Sequence, residues 1–321
     1  MAAMELLSAV HRDLIEITQN LRSKGISPSI RPLEIIVCGD QSSGKTTVLN
    51  AISGTSIPTH DKAGTRFATE FVFRRQDVPF VKASIIPGHE RSDAERERLG
   101  QVGTELDSSL KMEPLLEETK LSMGLSDTKG YSTDVLRVDI CGPTEPNLTM
   151  VDLPGFFRDN GSGDAAMVQE MVVKYLKRPQ SVILAVVSAK SDFASQEITN
   201  IARRLDPRGL RTLSVITKPD TLSAGSATEA EYVQLAKHRG LIFPCGWHVL
   251  KNSHEGSTSS EQNEAESSFF SRGVWGALDT RKMGIESLKT RLGKILQNQT
   301  LMQLPKFIQD IESEIETSKL H

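Results

Sequence analysis

The sequence predicts a three-layer α/β fold around a central, mostly parallel sheet. Three observations lead there. Short β-branched-rich apolar runs alternate with helical stretches along most of the chain, as in strands joined by crossover helices. Several of these runs are apolar throughout, as expected of strands covered on both faces. The first run leads into a glycine-rich turn and then a helix.

Composition sets the outer bounds. Of 321 residues, 38% are hydrophobic and 25% charged, enough for a core and inconsistent with wholesale disorder. A net charge of −3 gives no sign of general polyanion binding, so no nucleic-acid partner is expected. Cys38, Cys141 and Cys245 are odd in number and lack metal-ligand spacing, so reduced thiols in a cytoplasmic protein are expected. No uninterrupted apolar stretch reaches the roughly 20 residues of a membrane span. His11, Arg12, Asp13 and Glu16 interrupt the N-terminal apolar run and argue against a signal peptide.

Taken in order, residues 4–24 read as an amphipathic helix, with Leu7, Val10, Leu14, Ile17 and Leu21 on one stripe and Gly25 and Pro28 ending it. Strands are expected at 33–38, 80–86, 134–140, 148–152, 181–188, 212–217 and 245–250, with helices at 46–53, 164–177 and 195–205. Residues 90–120 read as a polar, helical insertion. The low-complexity segment 255–268 reads as a mobile surface loop. The last sixty residues are helical. Ile285, Leu288, Leu292 and Ile295/Leu296 form one stripe, and Leu301, Leu304, Ile308, Ile311 and Ile315 form another. Pro305 lies inside the second, where a kink or break is expected. The stripes belong either to a helical bundle or to ordinary packing within the domain.

The chemistry is concentrated in four short segments. Gly39-Asp40-Gln41-Ser42-Ser43-Gly44-Lys45-Thr46 matches GxxxxGK[ST] between a strand and a helix. Such a loop turns backbone N–H groups toward phosphate oxygens at a helix N-terminus. Lys45 reaches the β- and γ-phosphates, and the Thr46 hydroxyl is a Mg2+ ligand. Asp152-Leu153-Pro154-Gly155 ends the strand 148–152, placing a carboxylate for the Mg2+ shell and the Gly155 amide for the γ-phosphate.

Thr217-Lys218-Pro219-Asp220 matches [NT]KxD. Its carboxylate suits guanine, whose N1–H and exocyclic amine are donors that adenine lacks. In Gly64-Thr65-Arg66 the threonine is placed as a second Mg2+ ligand, although lone surface threonines are common. Small switches carry a water-orienting Gln after the DxxG glycine. Here Phe156 stands there, and Gln41 in the phosphate loop is the candidate instead.

These segments, GDQSSGKTTVLNAISG, GTRFATE, LTMVDLPG, VITKPD and VLKNS, resemble the GTPase domain of the dynamin superfamily. SAKSDFASQ and the C-terminal region MGIESLKTRLGKILQNQTLMQLPKFIQDIE extend the similarity over nearly the whole chain. The switch loop Asp61–Ala68 is closer in wording to fungal dynamin-like sequences than to endocytic ones.

The resemblance implies a three-layer P-loop GTPase domain over residues 28–299. It also implies an N-terminal bundle helix over 1–27 and a C-terminal bundle helix over 300–321, with a hinge near Pro305. It implies hydrolysis of GTP to GDP with Mg2+ and a monovalent cation, K+ or Na+, near Ser42. Gln41 positions water, Thr65 ligates Mg2+, and Gly155 contacts phosphate or water. Ser43, Gly44, Lys45, Thr46 and Thr47 cradle the nucleotide, with Asp152 in the metal shell. Lys218, Asp220 and Asn252 serve the base. Asp192 reaches a second copy in a homodimer formed through the nucleotide face, unless it merely caps the following helix.

A cytoplasmic chain is implied, touching membrane only through regions it lacks and reading as a fragment of a larger membrane-remodelling protein. The rival reading is a guanine-nucleotide-binding regulatory module with little turnover.

Overall fold

In a computed structural model the described residues are 17, 33–54, 65–106, 112–126, 130–157, 163–237, 243–251 and 259–319. Apart from Ile17, the expected helix 4–24 lies outside them, as do residues 61–64 and Asn252.

Among the described residues nine strands form one sheet: β1 (Glu34–Gly39), β2 (Ala68–Arg75), β3 (Phe80–Ile86), β4 (Gly103–Leu106), β5 (Val135–Gly142), β6 (Leu148–Asp152), β7 (Ser181–Ser188), β8 (Thr212–Thr217) and β9 (Trp247–Leu250). Their order is β4-β3-β5-β2-β6-β1-β7-β8-β9. From β6 to β9 every pairing is parallel. Strand β2 runs antiparallel to β6 and parallel to β5, while β3 is antiparallel to both β4 and β5. The sheet is α/β and mostly parallel, as the alternation of elements requires.

Strand β2 does not stand out in the sequence because charge breaks its apolar run. Glu70 is its third residue, and Arg74 and Arg75 end it. The sheet tolerates Glu70 because the Tyr175 hydroxyl donates to it at 2.9 Å and Arg178 lies 3.6 Å away. The antiparallel direction of β2 matters for the site. It pairs Thr69 with Asp152, so the residues entering β2, Thr65 and Arg66, reach the edge where the parallel strands end.

Side chains alternate between two cores, as strand pleating demands. Ile35 and Val37 join one core, Ile36 and Cys38 the other. The first is completed by α1 (Lys45–Ser53) and the start of the final helix. The second is completed by α4 (Asp164–Leu176), α5 (Glu197–Leu205) and α6 (Ala227–Lys237). The polar 90–120 region holds α2 (Asp93–Gly100) and α3 (Met112–Ser122), but also the edge strand β4. The expectation of an all-helical insertion is corrected there. Four residues without an apolar pattern give no strand signal.

A second correction concerns residues 255–268. Ser259–Phe270 is a helix, α7. Its composition is loop-like, and its stability comes from tertiary contact, as for most short helices. Phe270 is buried. Buried Glu266 accepts from the Lys251 amide at 3.0 Å and the Ile285 amide at 2.9 Å.

The final helix, α8 (Ile285–Lys319), runs through Pro305 without a break, so the two stripes and the 299/300 boundary fall in one element. Proline removes the bond to the carbonyl of residue 301. Leu301 itself is 52% exposed, so this turn of the helix faces solvent. The stripes differ in what they bury. Leu288, Leu292 and Leu296 are fully inside the first core, whereas Ile308 and Ile315 are 51% and 48% exposed.

That difference is measurable. Leu292→Ala is expected to cost about 2–5 kcal/mol in urea unfolding, as core truncations do. Ile308→Ala is expected to cost about 0.5 kcal/mol or less, as exposed positions do.

Candidate functional site

The parallel half of the sheet ends at one edge, where the four motifs meet. Gly39 closes β1 against β7. A Cβ there would lie 2.1 Å from the Val186 carbonyl oxygen, so only glycine fits. The loop then turns into α1, with Gly44 in left-handed backbone at φ 92° as the N-cap.

Lys45 is buried and donates to the carbonyls of Asp40 at 2.9 Å and Gly39 at 3.3 Å. Burial pushes its pKa down, and the nearby Asp152 carboxylate pulls it back up. Asp40 moves the other way, up to about 6, through burial, with Lys45 opposing.

The centre of the site is Asp152, 3% exposed. Its Oδ2 accepts from the Thr46 hydroxyl at 3.1 Å and the Thr65 hydroxyl at 3.0 Å. One carboxylate oxygen therefore gathers three expected metal-shell residues from three segments. Its other oxygen, Oδ1, is buried without a hydrogen-bond partner, and burial raises the acid's pKa while Lys45 and the two hydroxyls lower it.

A buried carboxylate oxygen without a partner is costly. Together with two hydroxyls it makes an all-oxygen donor set, which suits a hard divalent cation such as Mg2+ that keeps most of its shell for water and phosphate. Among the described residues no cluster of three or more His, Cys, Asp or Glu could hold a metal.

The DLPG segment is zipped to the phosphate loop. The Gln41 amide donates to the Phe156 carbonyl at 2.8 Å, and the Phe156 amide to the Gly39 carbonyl at 3.2 Å. Gly155 lies so close that a Cβ would sit 2.5 Å from Lys45 Nζ and 2.6 Å from the Gln41 amide nitrogen.

The [NT]KxD segment is tied to the same loop. The Thr217 hydroxyl donates to the Ser43 carbonyl at 2.6 Å, and Lys218 Nζ to the Ser42 carbonyl at 2.7 Å. Ser42 and Lys218 are the two non-glycine residues with positive φ among the described residues, at 60° and 57°. Backbone strain of this kind concentrates at functional sites, and here the two strained residues touch. Asp220 is exposed on the turn Pro219–Thr221. Ser43 is buried, while Thr47 is half-buried next to Thr46.

Asp192 caps a short turn, accepting from the Ala194 amide at 3.0 Å, and its side chain is on an exposed surface. The loop that carries it is fixed from below by residues that the sequence reading left unassigned. Buried Gln196 accepts from the Ser188 amide at 2.8 Å and donates to the Ser188 carbonyl and the Tyr232 hydroxyl. Tyr232 donates to the Ser188 and Ser191 carbonyls. Asn252 lies outside the described residues, one position beyond the Lys251 amide that Glu266 holds.

Comparison with known proteins gives a consistent answer. The sequence model described as Dynamin family matches residues 35–219, more than half of the chain. The chain is 29% identical over 272 residues to the interferon-induced GTP-binding protein Mx of Perca fluviatilis, covering 81% of this chain and 84% of that one. It is 29% identical over 246 residues to the interferon-induced GTP-binding protein Mx2 of Homo sapiens, covering 75% and 32%. To the interferon-induced GTP-binding protein Mx1 of Oncorhynchus mykiss it is 26% identical over 315 residues, covering 95% and 48%. The chain thus spans a third to a half of the latter two relatives.

The packing of Gly155 makes a direct prediction. Gly155→Ala places a methyl group against the Gln41 backbone, which cannot move without opening the phosphate loop. Nucleotide affinity in a titration is expected to fall on the order of tenfold or more, with the fold retained, since strained contacts of this kind cost about 1–3 kcal/mol.

Proposed function

The chain belongs to the dynamin family, and from that premise we propose that it binds GTP with Mg2+ and hydrolyses it to GDP and phosphate. The observation that carries this reading is the meeting of the Thr46 and Thr65 hydroxyls on one buried Asp152 oxygen, above a loop whose lysine is buried beside them. Thr46, Thr65 and Asp152 are the residues that would hold Mg2+, the first two through their hydroxyls. Mg2+, when bound, offsets the charge developing on the phosphates.

The remaining roles fall to the chain's own groups. Lys45 neutralises the β- and γ-phosphates. Ser43, Gly44 and Thr47 surround them, with backbone N–H groups at the start of α1. Gln41, whose amide is fixed on Phe156, orients the attacking water, and Gly155 offers its amide to the same region. Water attacks the γ-phosphorus, the bond to the β–γ bridging oxygen breaks, and GDP and inorganic phosphate result, the water's protons passing to the phosphate and to solvent. Ser42, exposed at the loop's outer turn, is the proposed seat of a monovalent cation. Asp220 accepts from guanine N1–H and the exocyclic amine, the Lys218 stem lies along the base, and Asn252 closes the base site.

We further place Asp192 at a contact between two copies that meet through their nucleotide faces. Its exposure on a loop braced by Gln196 and Tyr232 supports this. Docking would exclude water from the nucleotide face. The long helix α8 is proposed as a lever, with Pro305 as its hinge. In support, Glu266 joins the amide next to the base loop to the first amide of α8, and the exposed stripe Leu301–Ile315 offers an apolar face to a bundle. In a longer protein such a lever would serve membrane remodelling from the cytoplasm. Among the described residues no helix is long and apolar enough to cross a membrane.

Two measurements test this reading. In nucleotide titrations GTP is expected to bind far more tightly than ATP, and Asp220→Asn to shift preference toward the xanthosine nucleotide; equal affinity for GTP and ATP contradicts the base assignment. In steady-state assays Gln41→Ala is expected to lower turnover on the order of 10²-fold while GDP affinity holds, and Lys45→Ala to lose binding or turnover outright. Tight GTP binding by the unaltered protein without turnover at any protein concentration would instead select the regulatory-module reading.

A further inference from the structure

The residues just before β5 stand between the two segments that carry Thr65 and Gly155, and they touch both. The Tyr131 ring stacks on the Phe157 ring, with centroids 4.9 Å apart and planes 11° from parallel. Phe157 is two residues beyond Gly155. The next residue, Ser132, donates its amide to the Arg66 carbonyl at 3.1 Å, and Arg66 follows Thr65. Two adjacent residues thus hold the two phosphate-facing segments at a fixed separation.

The brace has a rigid base. Asp134 is buried and accepts from the Gly88 amide at 2.8 Å, from Arg91 at 2.5 Å and 3.1 Å, and from the Ser132 hydroxyl at 2.7 Å. Its own amide donates back to the Ser132 hydroxyl at 3.1 Å. Arg91 is fixed in turn by Glu95 and the Met123 carbonyl. The Ser132 backbone therefore cannot shift without breaking a satisfied buried network. Tyr131 projects from that fixed point onto Phe157, and an offset stack of this kind contributes directional as well as apolar attraction.

We propose that Tyr131 is a positioning residue for GTP hydrolysis, coupling the Thr65 segment to the Gly155 segment through its stack on Phe157 and the adjoining Ser132–Arg66 bond. This rests on the GTPase reading above. Gln41 and Phe156 are already joined backbone to backbone, and Thr46 and Thr65 meet on Asp152. The stack adds a second tie between these segments, on the far side of Gly155 from the Thr65–Asp152 bond, so that displacement of one pulls on the other. Tyr131 touches no reacting atom. Its effect falls on turnover, which needs both segments in register, and spares the phosphate loop and the base site that dominate GDP binding.

The test compares Tyr131→Ala, Tyr131→Phe, Phe157→Ala and the double alanine variant. Each is measured for kcat, KM, GDP affinity by titration and thermal midpoint. Tyr131→Ala and Phe157→Ala are each expected to lower kcat on the order of ten- to a hundredfold, as small misplacements of reacting groups do, with GDP affinity unchanged. Tyr131→Phe keeps the stack and is expected to restore the lost turnover. The double variant is expected to be little worse than either single one, because one contact cannot be lost twice. Full multiplication of the two single effects overturns the proposal. So does wild-type kcat in Tyr131→Ala, or a loss of thermal midpoint and GDP affinity together with kcat. If the unaltered protein fails to hydrolyse GTP, the GTPase reading itself falls, a result the alanine variants do not mimic because their reference is active.

Discussion

One carboxylate oxygen holds the nucleotide edge together. Asp152 Oδ2 accepts hydrogen bonds from the hydroxyls of Thr46 at the start of α1 and Thr65 ahead of β2. It ties the phosphate loop and the segment entering β2 to the DLPG segment that carries it. The burial of Asp152 sharpens the constraint. Its second oxygen lacks a partner, and an unpaired charged oxygen in a low-dielectric site is costly unless cationic charge accompanies it. Lys45 lies close enough to lower the acid's pKa, and the donor set suits a divalent cation. In the reading proposed above, the same atoms that make the site costly to leave bare would favour a cation–phosphate pair.

The sheet topology serves that node. Parallel strands β6, β1, β7, β8 and β9 deliver Asp152, the phosphate loop, the Asp192 loop, the [NT]KxD turn and the residues preceding Asn252 to one edge. A sheet that was parallel throughout would carry Thr65 to the opposite edge, because Thr65 precedes its strand. Reversing β2 against β6 solves this. The charged residues on β2 that hide it from a hydropathy reading, chiefly Glu70, are held by Tyr175 and Arg178 from α4 and the turn that follows it.

That these segments belong together was legible from spacing, because each is a motif of particular residues at fixed intervals, and the structure brings them to one edge. The phosphate loop, Asp152, Lys218 and Asp220 were readable for that reason, and so were the strands that carry them, which are short, rich in apolar residues and buried along their whole length. Thr65 was readable only by its order in the chain; its bond to Asp152 joins residues 87 positions apart. Helix α7 was not legible, since its anchoring depends on Glu266 meeting two distant amides rather than on apolar periodicity. The apolar stripes of α8 were legible, but not their union across Pro305, because a proline at a solvent-facing turn interrupts a hydrogen bond without ending the helix. Tyr131 and Phe157 gave no signal, as nothing in a sequence marks two aromatic residues 26 apart as stacked.

The most direct measurement is the Mg2+ dependence of GTP turnover in Asp152→Asn beside the unaltered protein. Asn keeps the size of the side chain and removes the charge. The account predicts that the unaltered protein is activated by Mg2+ to a plateau, and that Asp152→Asn loses turnover on the order of 10²-fold or more with no plateau over the same Mg2+ range. A normal Mg2+ activation curve with near-normal turnover in Asp152→Asn would contradict it, for it would mean that the two hydroxyls meet at a carboxylate on which the chemistry does not depend.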